Sequence, residues 1–209
     1  MTIPEARGTP AQAPLLGRRE RKRQQVRRQL YTAAVELFVA QGYEATTMEQ
    51  IAESADVARA TVFNHFSQKV GFLEEWGARR RACVEAILGQ EHAEDLPVGH
   101  RLRRYLREMA DLNVASRAET SVLMDASARF GRLLQDPSLE TELAKIAEEG
   151  RRRGEVRPQV DPDQAGALLA SCYFTSVLRW IREEPPPFDL PVRLDEALDI
   201  ILLGILAYQ

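Results

Sequence analysis

Thr46-Thr47-Met48-Glu49-Gln50-Ile51-Ala52-Glu53-Ser54-Ala55-Asp56-Val57-Ala58-Arg59-Ala60-Thr61-Val62-Phe63-Asn64-His65-Phe66 carries the densest structural signal in the chain. Thr46-Thr47-Met48-Glu49 reads as a capping box, with Thr46 as cap and Glu49 reaching back to it. Met48, Ile51, Ala52 and Ala55 then form the apolar face of a short helix. Asp56 falls where the chain must turn, and Asp tolerates the left-handed conformation better than most residues. A second short helix over 58–65 begins almost at once, with Val62 and Phe66 facing inward. Two short helices on a tight turn, packed against a longer one, are a helix-turn-helix pattern.

The longer helix lies just upstream. Val26, Leu30, Ala33, Ala34, Leu37 and Phe38 recur at helical spacing, and Gly42 ends the helix as a left-handed cap. Tyr43 can then fold back onto that stripe. Residues 1–17, rich in Pro, Ala and Gly, are expected to be a disordered tail. Between Arg18 and Arg28 stand seven basic residues and one acid. Two readings of this run are open: a solvated disordered segment, or an arm that follows phosphates or enters the minor groove. Arg18, Arg19, Arg21, Lys22 and Arg23 are its candidate contacts.

Downstream, a helix is expected from Ser67 to about Gln90, broken before the next by Pro97 and Gly99. Further helices are marked by Leu102–Leu112, by Val122–Leu133, and by Leu139–Ala147 after an Asp136-Pro137-Ser138 turn. Asp161-Pro162 opens a helix to about Glu183, with proline in the first turn, where its missing N–H does no harm. A last helix runs from about Arg193 to Tyr208. No period-2 strand and no internal repeat is found, so the chain reads as all-α with about nine helices.

Composition narrows the function classes. The 209 residues, 44% hydrophobic and 28% charged, are ordinary for a globular chain with a substantial core. The net charge of −3 hides a split: residues 1–69 hold ten basic and seven acidic residues, and residues 70–209 hold eighteen and twenty-four. A basic front on an acidic body points to nucleic acid at the N-terminal end only. Cys83 and Cys172 form neither a disulfide framework nor a zinc pattern and fit a reducing cytoplasm. No apolar run is long enough to span a bilayer, and the N-terminus lacks a signal-peptide core. GxSxG, P-loop, GxGxxG and HExxH signatures are missing, so neither catalysis, a cofactor nor a metal is expected.

Ala33-Ala34, Leu37-Phe38, Gly42-Tyr43, Thr46-Thr47-Met48, Ile51-Ala52, Ala55-Asp56-Val57, Thr61-Val62-Phe63-Asn64-His65-Phe66 and Lys69 stand in the order typical of TetR-type regulators. Over about Gln25–Gly71 the chain resembles that family, and Gly154-Glu155-Val156-Arg157-Pro158 followed by Asp161-Pro162 resembles its C-terminal half. Three positions depart from the pattern: Asp56 replaces a turn glycine, Ala58 a small polar cap, and Phe63 a tyrosine. The resemblance implies a dimeric transcription factor, usually a repressor. Its organisation would be a disordered basic arm over 1–24, a DNA reader over 25–71, and a ligand-binding and dimerisation domain over 72–209. An activator or global regulator without effector is the alternative, and an all-α enzyme or protein-binding module a distant one.

On this reading the partner is double-stranded DNA with a near-palindromic operator. Thr46 and Thr47 at the second helix, and Lys69 at the fourth, are candidate phosphate contacts. Arg59 is the long donor suited to guanine. Ala60 and Thr61 suit a thymine methyl, Asn64 suits adenine or a phosphate, and Phe63 and His65 suit the backbone. The penultimate and last helices are apolar on nearly every side, which predicts a homodimer interface through Leu169, Tyr173, Val177, Leu198, Ile201, Leu202 and Ile205. A pocket for an unidentified small apolar effector is implied by the resemblance, with Trp76, Arg80, Cys83, Tyr105, Met109, Asn113, Met124, Phe130, Tyr173 and Phe174 as candidate lining. Arg80 falls on an apolar helix face, where it meets either an anionic ligand group or an acid of the chain itself.

Overall fold

The computed structural model describes residues 17–90, 93–131 and 138–205. Among them are nine α-helices and no strand: α1 (Arg18–Gln41), α2 (Met48–Ser54), α3 (Arg59–His65), α4 (Val70–Gln90), α5 (Val98–Ala115), α6 (Arg117–Arg129), α7 (Ser138–Arg152), α8 (Pro162–Trp180) and α9 (Leu190–Ile205). The expected all-α class is what the chain adopts. The tail before Gly17, the Asp136-Pro137 turn, Leu133 and the end of the last helix at Tyr208 lie outside the described residues.

Leu30, Ala33, Ala34 and Phe38 are the buried stripe of α1. The helix does not wait for that stripe to begin, however. It starts at Arg18, so Arg18, Arg19, Arg21, Lys22 and Arg23 ride on helix rather than on a disordered arm. Arg, Lys and Gln are good helix formers, and a helix already nucleated by packing at Leu30 propagates cheaply through them. Gly42 has φ 90° and ψ 155°, a positive-φ extended turn rather than the left-handed helical cap. Tyr43 does fold back, its ring 4.9 Å from Phe38.

The capping box sits one residue later than Thr46 and Glu49. Thr47 Oγ1 accepts from the Gln50 amide at 3.2 Å, and Gln50 Oε1 accepts from the Thr47 amide at 2.9 Å. Thr46 is taken inward, 1% exposed, its hydroxyl donating to Gly42 O at 2.9 Å. Asp56 makes the turn into α3 at φ 50°. Inside the three-helix unit, Ile51, Val62 and Phe66 pack with α1, and Phe72 from α4 stacks on Phe66 at 3.9 Å. Helix α4 therefore belongs to two cores. Phe72 and Leu73 close the first; Trp76, Arg80 and Val84 face the second.

The second core is built by α5 to α9. Helices α7 and α8 approach closely at Gly166, where a Cβ would fall 2.8 Å from Ala144 N. Asp161 caps α8 through the amides of Asp163 and Gln164. On α9, Leu190, Leu194, Leu198, Leu202 and Ile205 form one buried row. Arg103 and Arg107 of α5 hold that helix through Asp199 and Asp195 at 2.6 and 2.8 Å. This corrects the expected interface. Leu169, Tyr173, Val177, Leu198, Leu202 and Ile205 are buried within their own chain, and Ile201 is half-buried. Their i, i+4 rows face α5 and the α8–α9 pairing, so they are already covered. What these two helices leave exposed is Leu168, Val192, Ile200 at 74% and Leu203 at 70%.

Candidate nucleic-acid interface

Helix α3 is seven residues long and is held by its inner side. Val62 and Phe66 are buried, while Arg59, Ala60, Phe63 and Asn64 are exposed and Thr61 and His65 half-buried. About two turns of helix thus present a single outward face of long donor, small methyl, ring and amide. Arg59 is poised rather than free. Its guanidinium pairs with Glu49 of α2 at 2.6 Å and lies 5.5 Å from the Phe63 ring centre. Both partners of that ion pair are largely exposed, so it holds Arg59 only weakly. Thr47 is exposed beside this face.

Two expected phosphate ligands are placed differently. Thr46 is buried, as described above. Lys69 Nζ turns away from α4 and donates to Tyr43 O at 2.7 Å, Thr46 O at 3.0 Å and Glu44 O at 3.2 Å. It also lies 4.4 Å from the Tyr43 ring centre. Its three protons all reach backbone carbonyls of the α1–α2 connection, which makes Lys69 a structural tie between that connection and the start of α4.

Arg27, which spacing alone does not single out, ties three helices. It donates to His65 O at 2.7 Å, pairs with Glu75 at 2.7 Å, and lies 4.2 Å from the Phe66 ring centre. Glu75 also accepts from Arg79 at 2.8 Å. Burial pushes the Glu75 carboxyl up, but the two arginine hydrogen bonds outweigh it and hold it below the usual carboxylate range. The i, i+4 spacing of Glu75 and Arg79 is the one local signal of this cluster. Burial lowers the His65 pKa, helped by the nearby charges of Arg23 and Arg27. The exposed basic turns of α1 therefore lie on the side of α3 where that helix ends.

The expected effector residues divide. Arg80 is 8% exposed and donates to Ser116 Oγ at 2.7 Å, Thr120 Oγ1 at 3.3 Å and Glu119 Oε1 at 3.4 Å, with its guanidinium 4.4 Å from the Trp76 ring. Trp76 Nε1 donates to the same Glu119 oxygen at 2.6 Å. The acid that Arg80 meets is thus Glu119. Asn113 donates to the Tyr173 hydroxyl at 2.7 Å, and Tyr105, Met109 and Met124 pack around them as core. Phe174 packs edge-on against Tyr173, half-buried. Cys83 and Phe130 are not part of this cluster: Cys83 is exposed, and Phe130 projects toward Tyr43 at 5.5 Å. Among the described residues no group of His, Cys, Asp and Glu is arranged to hold a metal ion, and no helix is long and apolar enough to cross a membrane.

Residues 30–76 match the family model of bacterial regulatory proteins, tetR family. The chain is 52% identical over 66 residues to the HTH-type transcriptional regulator TcmR of Streptomyces glaucescens, covering 32% of this chain and 28% of that protein. It is 31% identical over 102 residues to YvkB of Bacillus subtilis, an uncharacterized HTH-type transcriptional regulator, covering 47% and 54%. These alignments thus span from about a quarter to about half of the relatives' length. Thermus thermophilus FadR, a TetR-family transcriptional repressor solved in complex with lauroyl-CoA, superposes with a TM-score of 0.72 at 26% identity, covering 88% of this chain and 96% of that one. These relatives are transcription regulators and not enzymes. The outward face of α3 and the frame that holds it coincide with the match over 30–76, and over these residues the chain is similar to the TetR family of bacterial regulatory proteins.

Proposed function

We propose that this chain is a sequence-specific DNA-binding transcriptional regulator of the cytoplasm, acting as a two-fold homodimer and released from its operator by a small effector with an apolar body. The observation that carries the reading is the outward face of α3, with Arg59 at its start and Val62 and Phe66 locking its inner side. Arg59 is the reader, suited to guanine O6 and N7 in the major groove. Ala60 and Thr61 lie against a neighbouring methyl, and Thr47, Phe63, Asn64 and His65 meet the sugar-phosphate backbone. The basic turns of α1 follow phosphates beyond the half-site.

A dimer supplies the second reading head. Leu168, Val192, Ile200 and Leu203 are apolar, exposed and carried by α8 and α9, which supports a four-helix contact between two copies. Release works by population shift: an effector that prefers one tilt of α4 changes the spacing of the heads, and with it the second half-site's contribution. The apolar body of the effector is supported by the lauroyl-CoA of the similar FadR.

The test compares Arg59→Ala with the unaltered protein on a duplex selected from a random pool and on an unselected duplex. The variant should lose about 1–3 kcal/mol on the selected duplex and relax preference at one position of each half-site. Equal loss on both duplexes would make Arg59 a phosphate contact. No selected sequence at all would contradict the reading itself.

A further inference from the structure

A cleft of about 730 Å3 opens between the α1–α2 connection, one face of α6 and the end of α8. We infer that it is a binding site for an anionic amphiphile, a molecule with an apolar ring body and one carboxylate or sulfonate group. None of the residues expected from the sequence to line an effector pocket lines this cleft.

Its size falls within the range of small-molecule sites. Tyr43 and Gly42 form the wall on the connection side, Val122 and Ala126 the wall on α6, and Leu178 and Ile181 the wall on α8. These surfaces are apolar, and Val122, Leu178 and Ile181 are only partly covered by the core they flank. Two of the walls are pinned from behind. Lys69 holds the connection through the carbonyls of Tyr43, Glu44 and Thr46. Arg117, at the start of α6, holds the end of α8 through the carbonyls of Trp180 and Glu183 and pairs with Glu184 at 3.1 Å. The cleft is therefore a gap between fixed pieces.

Its charges fix the head group. Arg129 is matched by Asp125 at 2.8 Å. Arg182, exposed at the mouth, has no ion-pair partner among the described residues. The unmatched acid of the lining, Glu44, stands on the opposite wall, in the connection. An anion is thus drawn to the α8 side beside Arg182 and repelled from the connection, leaving the ring body against Tyr43, Val122 and Ile181. The connection leads directly into Thr47, the cap of α2. An occupant that presses on it shifts α2 and α3 relative to α6, a consequence that rests on the DNA-reading function proposed above.

The probe is 8-anilinonaphthalene-1-sulfonate, titrated into the full chain without DNA and followed by fluorescence. Two variants decide the site. Arg182→Glu alters an exposed side chain, and Ser121→Trp fills the cleft from the α6 wall. The expected result is saturable binding of one dye per chain, weakened about tenfold or more by Arg182→Glu. Ser121→Trp should abolish it while the thermal melt stays unchanged. An absence of dye binding, or binding that Arg182→Glu leaves unchanged, overturns the site, and neither outcome depends on how Ser121→Trp folds. In a second arm, dye added to the protein on its selected duplex should lower affinity for the unaltered chain and leave Arg182→Glu unaffected. Dye that binds the cleft without moving duplex affinity overturns the coupling. If the unaltered chain selects no duplex, the DNA-reading proposal fails while the dye titration still judges the cleft.

Discussion

Lys69 shows what a single side chain contributes when all its donors are used. Its ammonium group closes the connection between α1 and α2 onto the start of α4. Lys69→Met should cost about 1.5–3 kcal/mol, the range for hydrogen bonds to a charged group, and lower the thermal midpoint by several degrees. A melt that matches the unaltered protein would show the tie to be energetically idle. Spacing puts Lys69 correctly at the helix start but cannot show its partners, which lie 23 to 26 residues earlier and are backbone atoms. Thr46 and Thr47 pose a local version of the same difficulty. Thr46 with Glu49 and Thr47 with Gln50 both satisfy the capping-box spacing, and only the burial of Thr46 separates them.

His65 sets a pH dependence whose sign follows from its surroundings. Its pKa lies below the ordinary 6.5 because burial, and then Arg23 and Arg27, disfavour the charged ring. Between 6.5 and that lowered value the unfolded chain binds more protons. The neutral ring therefore costs no stability above 6.5, and stability falls as pH drops through the window. A phosphate beside the ring has the opposite effect, favouring the imidazolium, so duplex binding takes up a proton there. Duplex affinity should rise between about pH 7.5 and pH 5.5, and His65→Gln should flatten that rise. Equal slopes in the two proteins would remove His65 from the interface.

Among the elements, α1 departs furthest from expectation. Composition alone makes its first turns a disordered arm, because charge dominates and apolar residues are scarce. The structure extends the helix through them, a continuation that good helix formers allow once Leu30, Ala34 and Phe38 are packed. Five cations are thereby carried on one helix, the last of them, Arg23, near enough to His65 to disfavour its charged ring. Replacing Arg18, Arg19, Arg21, Lys22 and Arg23 together by Gln keeps the helix propensity and removes the charge. The log–log dependence of duplex affinity on salt should flatten by about 0.9 for each phosphate no longer neutralised. An unchanged slope would mean that these turns stand clear of DNA.

Helix α9 differs from expectation in another way. Its sequence is apolar nearly all round, and within the chain Ile200 and Leu203 remain largely exposed. Which side faces outward is what the sequence does not reveal. Leu198, Leu202 and Ile205 look the same as Ile200 and Leu203 in sequence, and only the positions of α5 and α8 distinguish them.

For the molecule as a whole, the three-helix reader and its order are legible because short-range signals (stripe, cap, turn) all agree there. The pairs that tie the reader to α4 and α4 to the rest of the body, Arg27 with Glu75 and Arg80 with Glu119, are not, because each pairs groups more than 35 residues apart. The charge of −3 resolves into a basic reader and an acidic body, joined by α4. In the homodimer proposed above, two copies would hold two α3 faces toward successive major grooves, about 34–36 Å apart. Methylation interference at guanine N7 on a selected duplex tests it most directly. Interference should fall at two groups of guanines one helical turn apart, with one guanine in each group silenced by Arg59→Ala. Interference confined to a single group, or spread without pattern along the duplex, would contradict it.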